Sequence, residues 1–225
     1  MQHFMGTKNT RNVFLTPEVA SEYDAYYQTE TGKIVDNTEK EIVSAHLKRL
    51  PKTNWLELGC GTGHWTKFFS DWGFQITAVD NSEAMLEIAR SKNMENVQFI
   101  NADATRLPFP DGHFSGIVSI TMLEFVEDLE LVLNEIDRVL KPEGTLVLGC
   151  LNALSEPGKN KNNDPVFQHA RFFTPSEIKE MLTRFGKPRT SAGVYFSPDF
   201  ELLDGTDKQS TAEPAFIAAS VQKQK

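Results

Sequence analysis

Between Trp55 and Asp80 the chain passes through a short apolar strand pattern, glycines at alternate positions (Gly59, Gly61, Gly63) and an amphipathic helix pattern. A second apolar strand pattern, Ile76 to Val79, then ends on an acid. Few folds accommodate that order. Glycines at the end of a strand let the backbone turn sharply and approach a ligand that a Cβ would hold off. The helix that follows aims its unpaired N–H groups at the same place, and Asp80 stands where a carboxylate accepts hydrogen bonds from a ribose diol. The stretch reads as a nucleotide cradle inside a β-α-β unit. A plain glycine-rich turn, with a solvent-facing aspartate capping the next helix, is the alternative that spacing alone leaves open.

The same alternation extends along the chain. Apolar periodicity predicts a helix over Ile34 to Leu50, stopped by Pro51, then a strand over Asn54 to Leu58. A helix over about His64 to Trp72 stops at Gly73, and a strand covers Gln75 to Val79. Ser82 is an N-cap signal for a helix to about Lys92, and strands follow at Val97 to Ile100 and Phe114 to Ile120. Asp128 caps a helix to Leu140, Lys141 to Gly144 forms a turn, and Thr145 to Leu151 is a strand. Thr174, Pro175 and Glu177 spell a helix start running to Arg184, and apolar stretches close the pattern at Val194 to Phe196 and Ala215 to Val221. The fold expected is α/β: a doubly wound, mostly parallel seven-stranded sheet with helices on both faces and an antiparallel last strand.

One domain over residues 1–225 suffices for a chain of 25.3 kDa. Two segments stand outside the alternation. Residues 13–50 make a helical N-terminal leader, with Phe14, Tyr23, Tyr26 and Tyr27 close together before any strand; these rings either cover a pocket or pack onto the domain. Residues 152–173 read as an irregular insertion on the substrate side, since their composition turns to Asn, Lys, Ser, Pro and Gly. Met1 to Asn12 reads as a frayed polar start, and Ser197 to Glu213 as a long polar connection.

Composition removes several function classes. A net charge of −8 with no basic stretch disfavours nucleic-acid binding. Two cysteines, Cys60 and Cys150, make neither a disulfide framework nor a zinc signature, and read as reduced fillers. No apolar run reaches the roughly 20 residues of a membrane span, and the polar start lacks a signal-peptide core. A cytoplasmic location is expected. Gly63 is followed by His64 and Trp65 rather than the Lys–Ser/Thr of a P-loop, and the glycine spacing departs from the dinucleotide fingerprint. The third strand also ends on polar residues, Asn101-Ala102-Asp103-Ala104, so Asp80 and Asp103 are candidates for one crevice at the carboxyl ends of the strands.

At this level Glu57-Leu58-Gly59-Cys60-Gly61-Thr62-Gly63 resembles motif I of the class I S-adenosylmethionine-dependent methyltransferases. Asp80 matches the acid after strand two and Asn101 to Ala104 the adenine-side motif. Leu107-Pro108-Phe109 matches the loop before strand four, and Arg138 to Gly144 the turn before strand five. The likeness covers about Asn54 to Gly149 and is to the branch termed methyltransferase type 11. Ser115, where the family often has Asp, and Pro142-Glu143-Gly144, in place of Pro-Gly-Gly, are departures at structural positions.

The resemblance implies S-adenosylmethionine as cofactor and S-adenosylhomocysteine as product. It implies that Gly59, Cys60, Gly61 and Gly63 contact the methionine portion, with Glu57 on its amino group. Asp80, helped by Asn81, takes the ribose hydroxyls, and Asp103 and the backbone of Ala104 take the adenine. Thr121 and Tyr23 complete the cofactor set. Transfer from a sulfonium needs mainly in-line positioning, and a base only where the acceptor is protonated. Glu124, His169 and Tyr27, with Tyr23, are the candidates on the substrate side; His64 reads as solvent-facing or bonded to backbone. The partner expected is a small-molecule acceptor, with no metal. The alternatives are a non-catalytic protein binding the same cofactor, and an NAD(P)-dependent oxidoreductase of similar topology.

Overall fold

The structure, a computed structural model, describes Phe14, residues 17–203 and residues 212–225. The expectation for Met1 to Asn12 and part of that for the Ser197 to Glu213 connection lie outside these residues. The elements, in chain order, are α1 (Pro17–Tyr23), α2 (Glu30–Leu47), β1 (Trp55–Leu58), α3 (His64–Asp71), β2 (Ile76–Asp80), α4 (Glu83–Ser91), β3 (Val97–Asn101) and β4 (Phe114–Ile120). They continue with α5 (Leu129–Val139), β5 (Leu140–Leu151), α6 (Glu156–Asn160), α7 (Pro175–Thr183), β6 (Arg189–Gly193), β7 (Tyr195–Phe196), β8 (Leu202–Leu203) and β9 (Phe216–Gln222). Seven strands form one sheet in the order β3-β2-β1-β4-β5-β9-β6, with β1 to β5 parallel and β9 antiparallel to both its neighbours. Among the described residues no helix is long and apolar enough to cross a membrane.

Period-two alternation along the central strands sends side chains to two cores. Leu56, Leu58, Ile117 and Leu148 pack with Val132, Leu133 and Ile136 of α5 and Ile178 and Leu182 of α7. Trp55, Val118, Val147 and Phe216 pack on the other face with Val35, Val43 and Leu47 of α2 and Trp65 and Phe69 of α3. Burial of both faces explains why β1 reads as a near-continuous apolar run. The helix starts follow local chemistry. Ser82 accepts from the Met85 N–H, Asp128 from that of Leu131, and Thr174 with Glu177 closes a capping box.

Several elements differ from the sequence expectation. The last strand of the chain, β9, lies inside the sheet and not at its edge. The edge strand is Arg189–Gly193, whose polar, exposed residues carry no apolar alternation. Val194 takes a positive φ of 61°, turning the chain, so Tyr195–Phe196 leaves the main sheet and pairs with Leu202–Leu203. The expected turn Lys141 to Gly144 falls inside β5 as an irregularity in its pairing with β4, with Glu143 at φ 64°. Helix α2 starts earlier and ends earlier than periodicity suggests. Thr29 caps it by accepting from Gly32 N–H, and Ile34 is exposed while Val35 is buried.

Residues 152–173 carry more order than their composition implies, including α6 and short turns at Lys161–Asn163 and Phe167–His169. The segment is pinched at its neck: Asn152 bridges Phe173, Ala153 N–H donates to the Phe173 carbonyl, and Phe173 N–H donates to that of Leu151. Asn152 is fully buried and ties the neck to the start of β9 by donating to the Pro214 carbonyl (2.8 Å).

Candidate active site

The carboxylate that ends β2 organises the loop after β1. Gly61 N–H donates to Asp80 Oδ2 and Ser82 N–H to Oδ1, each at 2.8 Å. Asp80 thereby fixes both the glycine loop and the approach to α4, and each oxygen keeps a further lone pair for a ligand. Burial raises its pKa, against the pull of these backbone donors. The loop glycines are required by geometry. Gly59 has φ +70° and a Cβ there would lie 2.2 Å from Met122 Cγ. At Gly61, φ +51°, a Cβ would meet no atom of the described residues within 4 Å, because the residue opens onto a cavity.

That cavity is about 560 Å³, within the range of small-ligand sites. Gly59, Gly61, Asp80, Asn81, Asp103 and Ala104 line it together with Thr121 and Tyr23, as do Phe14, Met122 and Phe125. Asp103 is exposed, and its Oδ1 accepts from Thr105 N–H (2.8 Å). Thr121, at φ +48°, is held by its N–H to the Gly149 carbonyl. Three residues of the expected cofactor set, Glu57, Cys60 and Gly63, lie outside this lining. Glu57 is 2% exposed, and burial pushes its pKa to about 8, with Thr66 favouring and Asp80 opposing its charge. Its Oε2 has no partner among the described residues. The Cys60 and Cys150 thiols are buried and form no disulfide, with pKa values raised by that burial.

The substrate-side candidates separate. Glu124, in the turn Leu123–Phe125, is 1% exposed; its Oε1 accepts from Leu151 N–H (2.7 Å) and its Oε2 has no partner among the described residues. Burial raises it to about 7 against the pull of that backbone hydrogen bond. Among the described residues no arginine pairs with its carboxylate: Arg171 meets Glu124 through its own main-chain N–H, on the Glu124 carbonyl. The Tyr27 hydroxyl donates to that of Tyr23 (3.4 Å), and both phenols are pushed up by burial. His169 lies exposed at the end of the turn Phe167–His169, outside the cavity lining.

Other groups in the leader emerge only in three dimensions. His64 is not solvent-facing: its ring stacks on Tyr27 (3.6 Å between centroids) and its Nε2 meets Asp36 Oδ1 (2.7 Å). Lys40 donates to the other oxygen of Asp36 (2.6 Å). Burial alone would raise Asp36, but His64 and Lys40 hold it below the usual carboxylate range. Asp24 accepts from the Thr62 hydroxyl of the glycine loop and from Lys92 beyond α4, both at 2.6 Å. Glu39 stands four residues from Val35 and from Val43 on α2 and is half-buried; desolvation, with the charge of Asp36, pushes it to about 8. A carboxylate four residues from two buried valines was the signal available in the sequence.

The family model described as a methyltransferase domain matches residues 56–148. An uncharacterised protein of Methanocaldococcus jannaschii is 30% identical over 94% of this chain and 99% of its own length. The demethylmenaquinone methyltransferase of Staphylococcus aureus is 40% identical over 60% of this chain; the match spans about half, 54%, of that enzyme. A crystal structure from Thermotoga maritima, described as a SAM-dependent methyltransferase and possible histamine N-methyltransferase, superposes with a TM-score of 0.74 at 26% identity. That superposition covers 93% of this chain and 97% of the other. The fold, motif order and these matches define a Rossmann-like methyltransferase. The chain belongs to the class I S-adenosylmethionine-dependent methyltransferases, type 11 branch.

Proposed function

We propose that this protein transfers a methyl group from S-adenosylmethionine to a small-molecule acceptor. The observation that carries the reading is the meeting of Asp80, Asp103 and the Gly59–Gly61 backbone on one cavity, whose other lining residues include Tyr23, Thr121 and Met122. The residues suit the cofactor. Asp80 has lone pairs left for the ribose hydroxyls, and Asn81 stands beside it. Asp103 and the Ala104 backbone suit the adenine, and Gly61 leaves the room that a Cβ would take. Glu57 has an unpaired oxygen for the amino group, reached directly or through water. When bound, the cofactor supplies an already electrophilic methyl group, so the chain's contribution is to orient the acceptor and keep water out. Tyr23, Tyr27 and Glu124 are the side chains we assign to that task, with the leader and residues 152–173 closing over the pocket. The names of the Staphylococcus and Thermotoga relatives both point to small-molecule acceptors for those proteins.

Titration calorimetry with S-adenosylhomocysteine and NADH tests the reading. One molecule of S-adenosylhomocysteine should bind per chain, and NADH should not. Comparable NADH binding, or no binding of S-adenosylhomocysteine, would overturn it. Release of S-adenosylhomocysteine in the presence of acceptors then separates an enzyme from a protein that only binds.

A further inference from the structure

Resting on the methyl-transfer reading, we propose that the leader is a strap across the cofactor cavity, fastened by Asp24. The strap must lift for S-adenosylmethionine to enter and for S-adenosylhomocysteine to leave, so the leader sets the rate of cofactor exchange.

The crevice that the strap crosses is defined by the sheet. β1 lies between β2 and β4, so the loop of Gly59 and Gly61 has the end of β2 on one side and the turn after β4 on the other. Phe14 joins those two sides. Its carbonyl accepts from the hydroxyl of Ser82, the cap of α4 after β2 (2.8 Å). Its ring packs edge-on against that of Phe125 after β4, with 4.8 Å between centroids. The Tyr23 ring meets Phe14 edge-on at 5.9 Å, and Phe14, Tyr23 and Phe125 all line the cavity together with Gly59, Gly61 and Asp80. Two rings of the leader thus close the cavity from the β2 side to the β4 side.

Asp24, next to Tyr23, fastens the strap to the elements beneath it. One carboxylate oxygen accepts from the hydroxyl of Thr62, which lies between Gly61 and Gly63, and the other from Lys92 at the end of α4, each at 2.6 Å. The glycine loop and α4 both carry cavity-lining residues, Gly61 and Met85 among them, whereas Asp24, Thr62 and Lys92 lie outside the lining. The latch therefore holds the cover of the site without belonging to its wall. The Asp24 side chain is 36% exposed and that of Lys92 26%. Water screens such a pair, so the latch is weak enough to open at every turnover.

A latch made of protein groups outside the cavity has a kinetic signature. With the strap fastened both with and without cofactor, lifting it breaks the same contacts in either direction. Its cost then enters the entry and exit rates alike and cancels in their ratio, which is the affinity. A leader that served only as a wall against the ligand would behave differently. Loosening such a wall speeds exit and leaves entry unchanged, and the affinity falls.

Stopped-flow mixing and chase with S-adenosylhomocysteine give the entry and exit rate constants, and calorimetry gives the affinity independently. Asp24→Ala removes both latch contacts. Entry and exit should rise together, each by about three- to fivefold, with the affinity within about twofold of wild type. Lys92→Met removes one contact, and both rates should rise by about twofold. One S-adenosylhomocysteine bound per chain reports that a variant folds; if Asp24→Ala does not fold, Lys92→Met decides. Unchanged rates overturn the proposal, and so does a faster exit with unchanged entry; the methyl-transfer reading survives either result. Failure of the wild-type protein to bind S-adenosylhomocysteine overturns that reading, and this proposal with it.

Discussion

On the side of the cavity where we propose the cofactor binds, the lining is small residues and a carboxylate that main-chain amides hold in place: Gly61 and Ser82 both donate to Asp80. On the leader side the groups are long side chains that hold one another, Tyr27 on His64, His64 and Lys40 on Asp36, and Tyr27 on Tyr23. The glycines and Asp80 of the first wall lie within one β-α-β unit. The second joins residues from the leader helices, α3 and the turn after β4. A wall made of backbone suits a ligand that never changes, and a wall made of side chains suits one that differs between relatives.

The sharpest way to break this comparison is Asp80→Ala. Loss of the carboxylate frees two backbone donors and removes the ribose acceptor, so S-adenosylhomocysteine affinity should fall by about 100-fold or more. Calorimetry reads it; a fall of only a few fold would mean that the first wall does not depend on this residue. Next come two glycines that separate folding from binding. Gly59→Ala should cost about 2–3 kcal/mol in denaturant unfolding, through its positive φ and the clash with Met122. Gly61→Ala meets no atom of the described residues, and should cost about 1 kcal/mol of stability while weakening S-adenosylhomocysteine binding about tenfold.

The acids predict a pH dependence of the empty protein. Glu39 and Glu57, both raised to about 8, and Glu124, raised to about 7, bind more protons folded than unfolded above their ordinary carboxylate range. Stability should therefore decline as pH rises from about 4.5 towards 8, by at most about 1.4 kcal/mol per pH unit per group. Urea unfolding across that window checks the sign, and Glu39→Gln should flatten the slope. The smallest effect expected is that of Asp24→Asn, which weakens the contacts to Thr62 and Lys92. It should cost about 1 kcal/mol or less, and faster hydrogen exchange in α1 and α2 with cofactor affinity within about twofold would sharpen the distinction between the walls.

The cofactor wall was legible in the sequence because its determinants are local. Alternate glycines and the caps Ser82 and Asp128 act on neighbours a few residues away, and the acid at the end of β2 acts on a loop 19 positions back within the same β-α-β unit. The leader wall was only partly legible. Tyr23, Tyr27 and Glu124 stood out as residue types, but the partnership of His64 with Asp36 spans 28 positions, and no periodicity reports it. Glu39 was passed over because helix periodicity is read from apolar residues, so a half-buried acid spaced four residues from two valines is easily missed. Strand β6 was hidden for the opposite reason: an edge strand needs no apolar face, so Arg189 to Gly193 carries none.

The pinched neck at Asn152 and Phe173 gives the segment between them an independence that the helices lack. Because its two ends already touch, shortening, lengthening or replacing what lies between costs little in chain entropy and puts no strain on β5 or α7. A lineage can therefore rewrite some twenty residues between these ends while the sheet beneath is left alone, as a tool changes its bit and keeps its handle.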